Sequence, residues 1–469
     1  MSILSWAHRR APDASAQHLF DRLRHGSDAG AAAATGLPEH WVHGVRSFYD
    51  LLRPSGGPLV CAGTGCLFEG GALDPGERGA QCLGRCYEAP SRSDRPPTHI
   101  PRRSLVAEPI VLRHLLGPTD PTLDYDLPSG DQILGAVIAS GLRGRGGAAF
   151  PTGLKWRSAR DTPAEDRVVV CNGDEGDPGS YVDRLLLEES PHAVIAGMVA
   201  CARTIGARRG IVFVRGEYPL AADRVEAAVT EAEGLGLLGP LTIRVLRGAG
   251  SYVAGEETAL LRAIEGLRAE ASPKPPYPSE RGLYGLPTVV QNVETLSVVP
   301  WVARHDRKGD TKAICLAGAV AEPGVVEIPL GMPLREVLER GGGGPAPGRR
   351  WKMALVGGPM GRVVPAGGFD VPLSFDGLPG MGHGGVVVLD DGVTARALAL
   401  HLFRFAADES CGNCAPCRIG TGQLASRTDR VSLERLLDTL EMGSLCGFGQ
   451  GVPRPIRDLL EHFPLEVLP

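Results

Sequence analysis

Aromatic side chains are scarce in this sequence, at 5% of 469 residues, and methionine numbers only 7. The core must therefore be built from small aliphatic residues, and any stacking on a planar ligand would rest on a few rings. Long apolar runs are missing: no stretch reaches the roughly 18 residues that a spanning helix needs, and residues 1–10 hold no apolar signal core. A cytoplasmic location without direct membrane insertion is expected. Positive charge is not in excess either, with Lys plus Arg at 49 against Asp plus Glu at 54 and a net charge of -5. No basic block recurs, which argues against nucleic acid as a partner. A repeat of fixed period is also absent.

Cysteine, glycine and proline are abundant. Eleven cysteines without an export signal indicate reduced thiols and metal ligation rather than disulfides. Four of them form a set: Cys411, Cys414 and Cys417 in a C-x2-C-x2-C run, then Cys446 well downstream. A compact triplet plus one distant thiolate suits the four ligands of a 4Fe-4S cluster, whereas zinc sites usually join two C-x2-C knuckles or add histidines. A second quartet, Cys61 and Cys66 then Cys82 and Cys86, suits a 2Fe-2S cluster, with zinc or an empty fold as the alternatives. Cys171, Cys201 and Cys315 lie in apolar runs and read as packed core thiols.

The chain is long enough for three or four domains. Residues 91–103, rich in Pro and Arg, read as a linker that closes an N-terminal module. Beyond it, Ile133, Leu134, Val137, Ile138 and Leu142 follow Ser129 at helical spacing. Residues 167–171 and 210–215 read as buried strands, and residues 193–205 and 221–235 as helices, which makes an α/β layer. Residues 311–389 alternate short apolar runs with glycine turns, a β-rich pattern, and the tail from Thr394 reads helical. His192 reads as a capping or packing residue, and Leu433 to Glu441 as a bundle helix.

Two loops carry further chemistry. Residues 141–156 hold Gly144, Gly146 and Gly147 beside Arg143, Arg145 and Lys155. Residues 144–149 satisfy G-x-G-x-x-A, but they follow a helix and not a strand, so an ordinary Rossmann turn is rejected. Glycines let backbone N–H groups approach anionic oxygens, so a phosphate-bearing cofactor is expected here. The second loop follows a buried strand and places Asp174, Glu175 and Asp177 within four positions. It lacks the ligand spacing of an EF-hand and is suited to ribose hydroxyls or a ring imide.

Residues 144–153, 172–184, 248–260, 274–278 and 291–295, followed by the C-terminal cysteine quartet, occur in the order seen in the NADH-binding flavoprotein family, which this chain resembles over residues 105–469. That family includes the NADH-binding subunit of respiratory complex I and the diaphorase subunits of NAD-dependent formate dehydrogenases and NAD-reducing hydrogenases. The N-terminal module, with residues 44–49, resembles the smaller, thioredoxin-like partner of these flavoproteins. It is shortened, since the stretch from Cys66 to Cys82 is far too brief for the helix and strand that the parent fold places between its two cysteine pairs.

The resemblance implies an α/β multidomain chain. Residues 1–104 would be the shortened thioredoxin-like 2Fe-2S module and linker, 105–308 a Rossmann-like FMN- and NADH-binding domain, 309–393 a β-grasp domain, and 394–469 a helical 4Fe-4S domain. Gly144, Arg145, Gly146, Gly147, Lys155, Asn172, Asp174, Tyr252, Gly255, Glu256 and Glu257 would line FMN, with Gln291 and Asn292 near its phosphate. Phe150, Asp177, Glu257, Lys274 and Tyr277 would face the nicotinamide nucleotide, and Glu175 and Thr295 complete the cofactor-binding set. No side chain is needed as nucleophile or base, because hydride transfer is the cofactor's own chemistry. Ala149, Asp177, Ala254, Tyr277 and Gln291 depart from the usual family residues.

The implied activity is that of a diaphorase exchanging hydride between NAD(H) and FMN and single electrons with iron–sulfur clusters. The fused N-terminal module and residues 417–420 suggest the β subunit of a soluble formate dehydrogenase, with a hydrogenase diaphorase or a complex I subunit as alternatives. A catalytic partner subunit with further clusters is expected. A non-catalytic iron–sulfur scaffold or redox sensor is the competing class, against which the retained Arg145, Lys155, Glu256 and Glu257 argue.

Overall fold

The computed structural model describes residues 16–53, 57–74, 77–305, 309–427 and 429–467. Helices Ala16–His25, Asp28–Thr35 and Glu39–Phe48 precede a short strand, β1 (Leu59–Cys61), which pairs in parallel with β2 (Arg78–Ala80). This module is docked on both sides. Tyr49 Oη donates to Leu267 O at 2.6 Å, and Thr64 Oγ1 meets His401 Nε2 at 3.0 Å. The stretch read as a linker ends in a strand, β3 (Arg102–Ser104), whose backbone pairs with residues 325–327 at the edge of a distant sheet. Its charged sequence hid it: no apolar alternation marks so short an edge strand.

The central layer is a parallel sheet of β4 (Val168–Gly173), β5 (Arg209–Val214), β6 (Thr242–Arg247) and β7 (Thr288–Asn292), in the order β6-β5-β4-β7. Residues 168–171 are buried, as expected of a parallel strand covered on both faces. Helices Val182–Glu189, Pro191–Ile205 and Pro219–Gly234 form the crossovers, and helix Gly130–Ala139 starts at a capping box of Ser129 and Gln132. The chain leaves β4 for β5 on one side and returns as β7 on the other. A topological switch point therefore lies at the C-terminal ends of β4 and β7, where open α/β sheets bind ligands.

A second, six-stranded sheet joins β3 to β8 (Thr311–Gly318), β9 (Gly324–Pro329), β10 (Trp351–Val356), β11 (Arg362–Pro365) and β12 (Gly385–Asp390), in the order β11-β10-β12-β8-β9-β3. Helices Ala395–Asp408, Ala415–Gln423, Arg430–Gly443, Gly447–Gly451 and Pro453–His462 close the chain as a bundle. Among the described residues no single helix is long and apolar enough to cross a membrane.

Candidate functional site

Asn172 and Asn292 stand opposite each other in the β4–β7 register, as do Cys171 and Gln291. Three loops converge on this pair. The glycine loop is tied to β7: a Cβ on Gly146 would lie 3.0 Å from that of Asn292, and Thr295 Oγ1 accepts from Arg145 N at 2.9 Å. Gly147, at φ +114°, has nothing within 4 Å of its missing Cβ, so its peptide borders open space. On the acidic loop, Asn172 Nδ2 donates to Gly255 O at 2.8 Å, and Gly255 packs so closely that a Cβ would sit 2.9 Å from Asp174 O. The third loop, 252–257, is thereby locked against the acidic one.

Asp174 is half-buried, and its Oδ2, closed off from solvent, has no hydrogen-bond partner. Burial pushes its carboxyl up to about 8. An orphaned acid oxygen on the acidic loop fits a ligand that brings its own polar hydrogens, and the open glycine turn fits an anionic group. Asp177 is also raised by burial, and its Oδ1 accepts from Tyr252 Oη at 2.5 Å. Glu257 is held low: burial opposes ionisation, but Lys155 Nζ and Lys274 Nζ each lie 3.0 Å from its carboxylate. Lys274 also reaches Glu256 at 3.0 Å. Phe150 and Tyr277 keep 50% and 53% of their surface exposed, so their flat faces are free to stack.

Three residues sit differently from the sequence expectation, the first being Thr295, which is wholly buried with its Oγ1 engaged by Arg145 N and Asn292 Oδ1. Arg145 does not offer charge to the glycine loop's open side. Its guanidinium is buried against Glu294 Oε1 at 2.9 Å, and Lys312 Nζ approaches the other oxygen of that carboxylate at 2.6 Å. A charge this deep needs a counter-ion, and the partner supplied by β7's following helix turns Arg145 inward. Glu175 is likewise withdrawn into the protein. Its two oxygens accept from Asp183 N at 3.1 Å and Arg184 N at 3.0 Å, which caps helix Val182–Glu189. Glu294, Lys312, Asp183 and His383 escaped sequence reading as a set. The signal for Lys312 was a lone lysine opening an apolar run, and for His383 a histidine enclosed by glycines.

The C-terminal quartet lies beside the third loop. Cys411, Cys417 and Cys446 are buried and Cys414 is partly exposed. Burial pushes the Cys417 thiol up to about 12, with the other three cysteines adding to the shift. Burial also raises Cys446, while the backbone N–H groups of Phe448 and Gly449 oppose this by pointing at its sulfur. Such thiols need a metal to ionise. Tyr252 spans the gap, since its ring meets Phe405 at 5.1 Å and Phe448 at 5.5 Å, and its N–H donates to Glu409 Oε2 at 2.8 Å, two residues before Cys411.

The N-terminal thiols Cys61, Cys66, Cys82 and Cys86 are all buried, with Cys82 Sγ 3.8 Å from Cys86 Sγ. Hydrogen bonding to Cys61 and burial push Cys82 up to about 12. This quartet abuts the acidic loop: Gly84 O accepts from Arg184 Nη1 at 3.0 Å, and a Cβ on Gly63 would lie 3.2 Å from Pro178.

Known families match three segments. The Nuo51 FMN-binding domain matches residues 137–301, the SLBB domain residues 313–364, and the NADH-ubiquinone oxidoreductase-F iron-sulfur binding region residues 397–468. The mitochondrial NADH dehydrogenase [ubiquinone] flavoprotein 1 of Dictyostelium discoideum is 37% identical over 376 residues, covering 72% of this chain and 78% of its own. The NADP-reducing hydrogenase subunit HndC of Solidesulfovibrio fructosivorans is 39% identical over 369 residues, with 71% and 75% covered. A chain of an NAD+-reducing [NiFe]-hydrogenase in the H2-reduced state is similar in structure at a TM-score of 0.84 and 30% identity, covering 96% of this chain and 92% of that one. The matched FMN domain contains the switch-point crevice and the matched iron–sulfur region contains the C-terminal quartet. The chain belongs to the family of NADH-binding flavoproteins found in complex I and in NAD-reducing hydrogenases, whose members carry FMN, NADH and a 4Fe-4S cluster in one oxidoreductase module.

Proposed function

We propose that this chain is the diaphorase subunit of a soluble multi-subunit enzyme, exchanging reducing equivalents between NAD(H) and iron–sulfur carriers. The observation that carries this reading is the convergence of the glycine, acidic and 252–257 loops on the β4–β7 switch point, with Tyr252 bridging from that crevice to the cysteine-bearing bundle. FMN, when bound, supplies the chemistry that takes a hydride from NADH and passes electrons on singly. The protein holds and orients it. Gly144, Gly146 and Gly147 would admit its phosphate with Gln291 and Asn292, with Thr295 bracing the glycine loop from behind through Arg145 N, while Asn172, Asp174 and Gly255 would meet its polar edge. Phe150 and Tyr277 would stack on the nucleotide, with Asp177, Glu257 and Lys274 fixing its hydroxyls and amide.

The domain limits we assign are 1–104, 105–308, 309–393 and 394–469, with β3 crossing over as an added strand of the third. The N-terminal quartet is assigned a 2Fe-2S cluster on a shortened thioredoxin-like fold. Its four thiols are all buried, and Cys82 Sγ lies 3.8 Å from Cys86 Sγ. For the parent enzyme, likeness over 96% of the chain to a hydrogenase subunit supports a hydrogenase, while the Cys417-to-Gly420 sequence keeps formate dehydrogenase as the second reading. The isolated chain tests the first point and the native complex the second. About six iron atoms are expected per isolated chain, and in the complex nickel for a hydrogenase or molybdenum or tungsten for a formate dehydrogenase. About four iron atoms would refute the N-terminal cluster.

A further inference from the structure

The loop between β11 and β12 ends in a run of residues that glycine makes possible: Gly380, Gly382 and Gly384 have φ of +99°, +57° and +95°. It carries His383 out of the second sheet and buries it in the α/β domain. One ring then touches three segments. Nδ1 lies 3.2 Å from Glu175 Oε1 of the acidic loop, and Nε2 lies 2.9 Å from Asp183 Oδ2 at the start of helix Val182–Glu189. Asn292, at the end of β7, donates from Nδ2 to the same Asp183 oxygen at 2.6 Å and sits 2.9 Å from Nε2. Asp183 Oδ1 accepts from Glu294 N at 3.2 Å.

Each histidine nitrogen lies within ion-pair distance of a different carboxylate, which suits a charged ring, although Nδ1 is not aligned for a hydrogen bond to Glu175. A divalent metal would need one nitrogen and both carboxylates around a single point at about 2.1 Å, and here each nitrogen has its own acid. Burial opposes the imidazolium charge, but Asp183 and Glu175 outweigh it and hold His383 well above the ordinary histidine range. Asp177 and Glu294 add negative charge from the acidic loop and the helix after β7. Lys312 on β8 and, through Glu294, Arg145 of the glycine loop add positive charge. Loss of the ring proton would leave Glu175 and Asp183 as buried anions without a cation between them, which is costly.

We infer that His383 is a positioning residue, an imidazolium latch through which the second sheet holds the acidic loop and Asn292 in the arrangement that receives FMN. The inference rests on reading the switch-point crevice as the FMN site. His383 acts by setting the two segments that would line FMN.

FMN dissociation constants of the full-length protein, read by quenching of flavin fluorescence between pH 6 and 10, test the latch in wild type and H383Q. H383Q should bind FMN about tenfold or more weakly at pH 7. Wild-type affinity should fall toward that of H383Q as pH rises, by up to about tenfold per pH unit for one linked proton. Superimposable affinities and slopes for the two proteins would overturn the latch. Binding by neither at any pH would overturn the crevice reading and the latch with it. Hydrogen exchange of wild type, corrected for its intrinsic pH dependence, serves where H383Q does not fold. Segments 173–184 and 380–386 should lose protection together as pH rises, and independent or absent loss would refute the inference.

Discussion

Glu294→Gln is the most exposed prediction, because the residue is wholly buried and its carboxylate faces two cations. Lys312 Nζ at 2.6 Å and Arg145 Nη1 at 2.9 Å are its ion-pair partners, and Ala313 N donates to it at 3.1 Å. The amide keeps the shape and removes the charge, so a buried lysine and a buried arginine lose their shared counter-ion. Breaking a buried pair in this way costs about 3–5 kcal/mol. Each kcal/mol lowers the melting temperature of a domain of 150–250 residues by about 2–4 °C, so a fall of roughly 6–20 °C is expected. Because Arg145 ties the glycine loop to this network, FMN should be released at a lower temperature than the one at which helical signal is lost. The pH dependence has a definite sign. Glu294 is held below its ordinary value, with burial opposed and outweighed by Lys312 and Arg145. Its stabilisation is thus present above the unfolded pKa of about 4.3 and disappears as pH falls through the lower folded value. Differential scanning calorimetry with parallel flavin fluorescence measures both effects. Lys312→Met in the Glu294→Gln background should recover part of the loss, since it removes one orphaned cation. A Glu294→Gln protein that melts within about 2 °C of wild type and retains FMN would refute the reasoning.

Tyr252→Phe removes the hydroxyl that donates to Asp177, which should raise KM for NADH several-fold while FMN content stays unchanged; steady-state kinetics with a dye acceptor checks this. Asp174 is pushed up to about 8 by burial, so its ionisation costs stability increasingly as pH rises from its unfolded value toward that pKa. Asp174→Asn should therefore melt higher than wild type at pH 8 and close to it at pH 4 in flavin-free protein. Cys82→Ser should remove about two iron atoms per chain and leave NADH-dependent flavin reduction intact, as read by metal analysis and visible absorbance.

The strands and helices of the α/β layer were legible because apolar periodicity is strong there. Residues 167–171 and 210–215 became β4 and β5, and Ser129 caps the helix that follows it. The C-terminal cysteine quartet was legible from its spacing, and it falls in the matched iron–sulfur region. What escaped is the wiring between distant segments. Lys312 and Glu294 are paired across 18 positions and Asp183 with His383 across 200, so no local pattern relates them. Arg145 looked available for a ligand because its neighbours are glycines, and only the tertiary position of Glu294 turns it inward. The edge strand β3 reads as a linker because three charged or polar residues show no alternation, and its pairing depends on a strand more than 200 positions away.

The central claim is that a flavin reduced by NADH communicates with the cluster held by Cys411, Cys414, Cys417 and Cys446. Anaerobic titration of the FMN- and iron-loaded chain with NADH, followed by visible absorbance and low-temperature EPR, tests it in wild type and Cys446→Ser. Wild type should show flavin bleaching together with a reduced 4Fe-4S signal, and Cys446→Ser should keep the bleaching and lose that signal. An absorbance that NADH leaves unchanged in wild type, or a 4Fe-4S signal that survives unaltered in Cys446→Ser, would contradict the account.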